Sequence, residues 1–402
     1  MEARRLMALF VCNFAILFVG FGLFPLLPVY AAEFGATPTL IGYYLAVTYV
    51  AITVGNLLTG WLSGRAPRKF VFVTAGALGA LALFLMGQAT TLWQVVVLTS
   101  VVWFTGGIGL SLVSVFIGLY AEESRRGKWF SLVALTNPLG AVIGGSAVGW
   151  MVARQGYPQM FIMLGLVYAV WPLVGLWKVQ DKLATKVTKP EEAKPADLQP
   201  GRNYHLLLTA VLLSAITVSV VRMGLSLSMK AINFSPATIA GTNVIGGLVT
   251  IPVVLGLGAL SDRLGRKSFL ALGYTLSAIA SVTLLMAEQL WHFWIVAAAV
   301  LAARTIGGSL ASALATDILP PQALGRSLPL LGTMTWAAGV LGFAGSGYVI
   351  ETLGASNLYL IATLLSLVAA GLTSTLPLRR KDVAPEPNGQ RLECLTPSAE
   401  VK

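Results

Sequence analysis

Charge is scarce in this 402-residue chain: Asp, Glu, Lys and Arg make up 11% of it, with 16 acidic residues against 27 basic ones. Soluble domains carry roughly 25% charged residues, so the deficit points away from water as the main solvent. Cysteine is limited to Cys12, inside a long apolar run, and Cys394, in a polar tail. That placement excludes a disulfide framework, and neither cysteine has metal-ligand neighbours. The two histidines, His205 and His292, stand at the ends of apolar runs with no carboxylate pair or ligand cluster beside them. Enzymatic acid–base or metal chemistry is therefore disfavoured. There is no Gly-x-x-x-x-Gly-Lys-Ser/Thr loop, since Gly265-Arg-Lys-Ser268 lacks the spacing, and an ATP-driven pump is disfavoured with it. Acids are absent from the depth of every apolar run: Glu33, Glu288, Glu351 and Asp317 all fall near run ends.

What the chain has instead is 56% hydrophobic residues, gathered into continuous runs. Twelve runs have about the 20 residues that a helix needs to cross a bilayer. They lie near 6–32, 40–63, 70–89, 92–120, 128–153, 157–178, 204–229, 237–260, 268–286, 290–318, 325–350 and 356–377. A β-barrel would need short alternating segments, so the expected fold class is an all-α polytopic membrane protein with twelve transmembrane helices. The first run follows Met-Glu-Ala-Arg-Arg; it is too long for a signal peptide, lacks a small-residue cleavage site and reads as a retained helix. Of the 27 Lys and Arg, 23 lie at the termini or in loops on their side, and only Arg154 and Lys230 lie in the opposite loops. This predicts an integral protein of a bacterial-type plasma membrane with both termini cytoplasmic. The net charge of +11 is then mainly a topology signal, and nucleic acid is not an expected partner.

A fixed offset of 198 residues aligns the two halves of the chain. Gly60-Trp-Leu-Ser-Gly-Arg-Ala-Pro-Arg-Lys69 returns as Gly258-Ala-Leu-Ser-Asp-Arg-Leu-Gly-Arg-Lys267. Ile108, Gly109, Ser111, Leu112 and Ser114 return as Ile306, Gly307, Ser309, Leu310 and Ser312; Gly127, Gly149 and Gly156 return as Gly325, Gly347 and Gly354. Six spans per copy make parallel repeats about an axis along the membrane normal. The expected organisation is a six-helix half at 1–178, a cytoplasmic linker at 179–203 with Lys-Pro-Glu-Glu-Ala-Lys-Pro inside it, a second half at 204–378 and a disordered tail at 379–402.

With this loop motif in view, the chain resembles the major facilitator superfamily over nearly its whole length, in style closest to the drug-export branch. Gly258, Leu260, Asp262, Arg263, Gly265, Arg266 and Lys267 match the family's loop signature fully, whereas in the first copy Gly64 replaces the acid and Pro67 the second glycine. The resemblance implies two six-helix bundles around a central cavity and alternating access by rocking of the halves. It also implies that Gly258, Asp262, Arg263, Gly265, Arg266 and Lys267 form a conformational latch, with Asp262 facing the start of span 5 near Arg126 to Trp129. The simpler reading of the same cations is a topogenic loop facing anionic lipid headgroups. The family's Arg-x-x-x-Gly of span 4 is missing where Trp103 stands, and Arg304-Thr-Ile-Gly-Gly308 resembles it in span 10.

Candidate cavity residues come from depth and from shared helix faces. Tyr49, Thr53 and Asn56 share a face of span 2; Trp103, Gly107, Ser111, Ser114 and Gly118 share one of span 4. For Gly107, Gly118 and the serines close helix packing is the favoured reading. Arg222, with Ser219 and Ser226 on its face, and Arg304 lie inside spans, where an arginine turns to the bundle interior or to water unless it bonds backbone carbonyls or snorkels. The substrate cavity is thus expected to include Arg304, Arg222, Trp103, Tyr49, Asn56 and Ser226. Expected partners are a small-molecule substrate, membrane lipid and a coupling proton or counter-transported ion, with no cofactor. The functional expectation is secondary active transport of a small organic solute, by efflux or organic-anion transport; the alternative is a transport-inactive sensor or assembly protein on the same fold.

Overall fold

Residues 2–122, 125–180, 201–319 and 321–376 are described by the computed structural model, and no strand occurs among them. In the first half α1 (Glu2–Leu23) runs through a tight turn at Phe24–Leu26 into α2 (Leu27–Glu33). Pro25 and Pro28 remove backbone donors there, and the helix answers by tightening its turn. Next come α3 (Pro38–Arg65), α4 (Arg68–Met86), α5 (Leu92–Tyr120), α6 (Arg126–Ala134) and α7 (Thr136–Leu139). Five residues, Gly140–Gly144, are wound as a wide π turn before α8 (Gly145–Lys178). The second half holds α9 (Arg202–Ala231), α10 (Pro236–Leu264), α11 (Arg266–Leu285), α12 (Leu290–Ile318), α13 (Pro321–Leu353) and α14 (Ala355–Thr375).

Ten runs among the described residues are long and apolar enough to cross a membrane. One of them, Arg126–Lys178, is 53 residues long and is broken at Gly156, whose φ of 78° no helix contains. Helix α13, 33 residues long, is not among the ten. The expected count of twelve rests on dividing the first and adding the second. Most of the expected linker and the whole expected tail lie outside the described residues.

The duplication extends to caps and turns that composition alone does not display. Thr37 and Ser235 each cap a helix that begins with proline. Thr91 with Gln94 and Gln289 with His292 close equivalent capping boxes, so His292 is a helix-cap residue. Gly35 (φ 74°) is matched by Asn233 (φ 63°), and Gly156 by Gly354 (φ 86°). Left-handed backbone is needed at both copies of each turn, and Gly or Asn supplies it. The hook is the exception. Gly265 turns at φ 90°, a value closed to Pro67, which sits at −54°.

Helix neighbours repeat as well: α3 on α5 and α4 on α5 correspond to α10 on α12 and α11 on α12. The halves meet along two pseudo-equivalent seams, α3 against α13 and α8 against α10. Both are closed by small residues. A Cβ added at Gly42 would come within 2.5 Å of the Phe343 carbonyl oxygen, and one at Gly149 within 3.1 Å of the Ala237 oxygen. At the end of the first seam the Glu351 carboxylate accepts the backbone amide of Thr39, and Lys230 pairs with Glu33 at 3.4 Å nearby. All of these contacts lie on the side of the bundle away from the termini. On the terminal side α12 shows an exposed line, Arg304, Gly308, Ser312 and Thr316, down to its last turn. Among the described residues, the contacts that seal the halves together lie on the far side, and the terminal side stands open along α12.

Candidate functional site

Two cavities lie between the halves. The larger, about 360 Å³, is bounded by α7, α9, α10, α12 and α13, with Asn137, Ser214, Thr250 and Thr335 among its walls. The smaller, about 90 Å³, extends into the first half between α1, α3 and α5, past Ile16, Val102 and Trp103. Phe21, Tyr49, Arg222, Arg304 and Trp336 line both.

Helix α9 carries Arg222 into this wall, where the side chain is buried. One guanidinium nitrogen donates to the Tyr49 hydroxyl at 2.8 Å, joining the two halves across 173 residues of sequence. The guanidinium carbon stands 3.4 Å from the Phe24 ring centroid, over the aromatic face. Phe24 and Arg222 are equivalent positions of the repeat, so the duplication has turned one copy into a cation and the other into its aromatic seat. Phe343 and Trp336 hold Tyr49 in place, with ring centroids 4.8 and 5.5 Å away. Arg222 is therefore a closed unit that ties α9 to α3.

Arg304 differs. It is exposed toward the larger cavity, lies 5.3 Å from the Phe21 ring and, among the described residues, makes no hydrogen bond and meets no carboxylate. Neither cavity is lined by Asp or Glu among the described residues. A cation free on one wall of a chamber between two halves can hold an anionic group and be left unpaired when that group departs.

Of the residues singled out from sequence, Arg304, Arg222, Tyr49 and Trp103 are brought together here. Asn56 and Ser226 line neither cavity. Asn56 accepts a 2.8 Å hydrogen bond from Ser111, beside the close approach of Gly107 to the α3 backbone, so the two polar faces of α3 and α5 satisfy each other. Ser226 is buried and bonds back to the Arg222 carbonyl at 3.5 Å, an internal helix contact. Sequence reading missed Trp336, Phe21 and Phe24, because an aromatic in an apolar run gives no sign of which way it faces. It also missed Asn13, whose amide donates to Thr136 at 2.6 Å in the buried joint between α1 and α7.

The expected latch is partly outside view: the side chains of Gly258, Asp262 and Arg263 are outside the described residues, and so is the contact expected of Asp262. Arg266 pairs with Asp317 at 2.9 Å, and Lys267 donates to the Leu376 carbonyl at 2.6 Å. Its repeat mate Lys69 donates to the Leu176 carbonyl at 2.7 Å. Each lysine thus caps the final turn of the last helix of its own half, where carbonyls lack helical partners. The contacts described for Arg266 and Lys267 lie within their own half.

Two like helical halves around a chamber open on one side have the architecture of a solute transporter. The chain belongs to the Major Facilitator Superfamily, whose profile it matches over residues 9–256 and again over 207–397. Multidrug resistance protein MdtG of Salmonella typhi, and that of Salmonella newport (strain SL254), are 21% identical to it over 284 residues, covering 67% of this chain and 69% of theirs. Among solved structures, nucleoside transporter NupG superposes with a TM-score of 0.77 at 15% identity over 92% of this chain and 98% of its own. Peptide transporter POT in complex with sulfate superposes at 0.70 and 14% identity, covering 93% of each. Likeness at these identities establishes the fold and leaves the substrate open.

Proposed function

We propose that this protein is a secondary active transporter that moves a small organic solute by alternating access, and that its physiological direction is efflux. The observation that carries the reading is the seal itself: among the described residues, the chamber is closed on one side by two narrow seams of small residues and open on the other. A chamber with one closed and one open face becomes a carrier when the halves rock about it. The curated relatives named as multidrug resistance proteins support the direction. With the termini in the cytoplasm, as the distribution of Lys and Arg favours, the state described is inward-open. A coupling proton or counter-ion would act without a carboxylate on the described cavity walls, so coupling through the substrate's own charge fits the site better than a buried acid.

The sensor alternative binds ligand without net movement. Proteoliposomes holding the full chain should show saturable solute flux above empty liposomes. A short thiol-specific crosslinker joining Thr39→Cys to Glu351→Cys, the two residues bonded across the seam, should stop flux and spare binding. Flux that survives complete crosslinking would overturn the rocking mechanism, and ligand binding with no flux in any gradient would leave the sensor.

A further inference from the structure

The wall shared by the two cavities offers donors and no carboxylate. Arg222 is committed to Tyr49 and Phe24, whereas Arg304 has no hydrogen bond among the described residues. The indole N–H groups of Trp103 and Trp336 make none among them either. An organic cation would meet an unpaired guanidinium here and nothing to balance its own charge. Arg222 adds its charge to the wall, but it is turned to Tyr49 and Phe24, so Arg304 presents the one guanidinium fork that is free among the described residues, the complement of a single carboxylate. A neutral solute would forgo the charge-assisted hydrogen bond that Arg304 can donate.

Size narrows the ligand further. The larger cavity, about 360 Å³, is at the lower end of the roughly 300 to 1,000 Å³ of pockets for drug-sized molecules, enough for one ring system. The smaller, about 90 Å³, falls below the ~150 Å³ that accommodates benzene, so it takes an alkyl branch and not a ring. Its walls, with Ile16, Val19, Val102 and Leu110, suit such a branch. Arg304 stands where the two spaces join.

We propose that the site selects branched amphipathic monoanions: a single carboxylate on Arg304, an aromatic body in the larger cavity against Phe21 and Trp336, and a short alkyl arm in the smaller one. This rests on the transport reading and gives it a substrate class. It also disfavours lipophilic cations, which would meet Arg304 and no carboxylate on the described walls. Selection by charge comes from Arg304, and selection by shape from the small cavity.

The matched probes are 2-phenylhexanoate, its amide, the corresponding amine 2-phenylhexylamine and unbranched phenylacetate, titrated calorimetrically against the full chain in nanodiscs. The carboxylate should bind at least about tenfold more tightly than the amide or amine, the size of one charge-assisted hydrogen bond. Arg304→Gln should lose that margin for the carboxylate and leave the amide unchanged, with its melting temperature as the folding control. Gly106→Ala trims the smaller cavity without a clash, since the added Cβ would stand 3.4 Å from the Tyr168 hydroxyl and 3.8 Å from Ile16. It should reduce the preference for 2-phenylhexanoate over phenylacetate severalfold. Amide or amine binding as tight as the carboxylate overturns the proposal, as does carboxylate binding unchanged in a folded Arg304→Gln. Flux of labelled probe separates the two levels. Selective binding without flux keeps the site and overturns transport; amine flux that survives Arg304→Gln keeps transport and overturns the site.

Discussion

Gly42→Ala should open the far side of the molecule. The new Cβ would lie 2.5 Å from the Phe343 carbonyl oxygen and 3.0 Å from the backbone nitrogen and Cα of Gly347, where ordinary contact begins at 3.4 Å. Every atom it meets is backbone, so no rotamer change can relieve the overlap, and α3 and α13 must separate by about 0.9 Å at that level. Overpacking of this kind costs about 1–3 kcal/mol. It acts only on the sealed conformation, because a far-side opening parts the same seam. The equilibrium should therefore shift about 5- to 150-fold toward the opened state. Distance distributions between spin labels at Leu40 and Thr352, on the far ends of α3 and α13, would report the shift in lipid. Gly345→Ala is the internal control: it lies on α13 too, and its Cβ would meet nothing within 4 Å. Identical distributions for Gly42→Ala and the unaltered seam, or an equal shift from Gly345→Ala, would refute the argument that backbone contact makes the seal.

Three further outcomes are expected. Tyr49→Phe removes the acceptor of Arg222, and a buried hydrogen bond to a charged group is worth about 1.5–3 kcal/mol, so the melting temperature should fall and the far side loosen; Phe24→Leu should act in the same direction through the lost ring face. Hydrogen bonds from Thr39, and then from Thr37, hold the Glu351 carboxyl below its usual pKa of 4.5. Its contribution is therefore present above about pH 4.5 and is lost as the pH falls through the lowered value. Spin-label distances across the seam should widen on such acidification, and Glu351→Gln should remove that pH dependence. Cys394 should react with an impermeant maleimide only after cells are opened, because the cation distribution predicts a tail on the inside; labelling from outside intact cells would reverse the topology.

The fold was legible because two signals in it are long. Runs of apolar residues report helices that cross a membrane, and the 198-residue offset reports the duplication, down to Gly156 and Gly354 at equivalent turns. Arg222 and Arg304 were legible as interior residues because a charge deep in an apolar run needs a reason. What each does was not. Arg222 finds its acceptor 173 residues away on the other half, and no local pattern around Tyr49 announces that role. Asn56 looked like a cavity residue because polarity on a helix face is the same whether it meets solute or, as with Ser111, another helix. The seams were hidden for a related reason: nothing in the sequence around Gly42 and Gly347 tells which backbone packs against them.

The wide turn at Gly140–Gly144 has a bearing on how this helix can change in length. A π turn holds one residue more than the regular helix it interrupts, and the flanking segments keep the phase they would have without that residue. On one side of it Asn137 and Pro138 face the larger cavity; on the other Gly145 and Gly149 face α10. A one-residue deletion elsewhere in a helix rotates everything beyond it by about 100°. Within 140–144 the same deletion consumes the surplus, and the cavity face and the seam face both stay where they were.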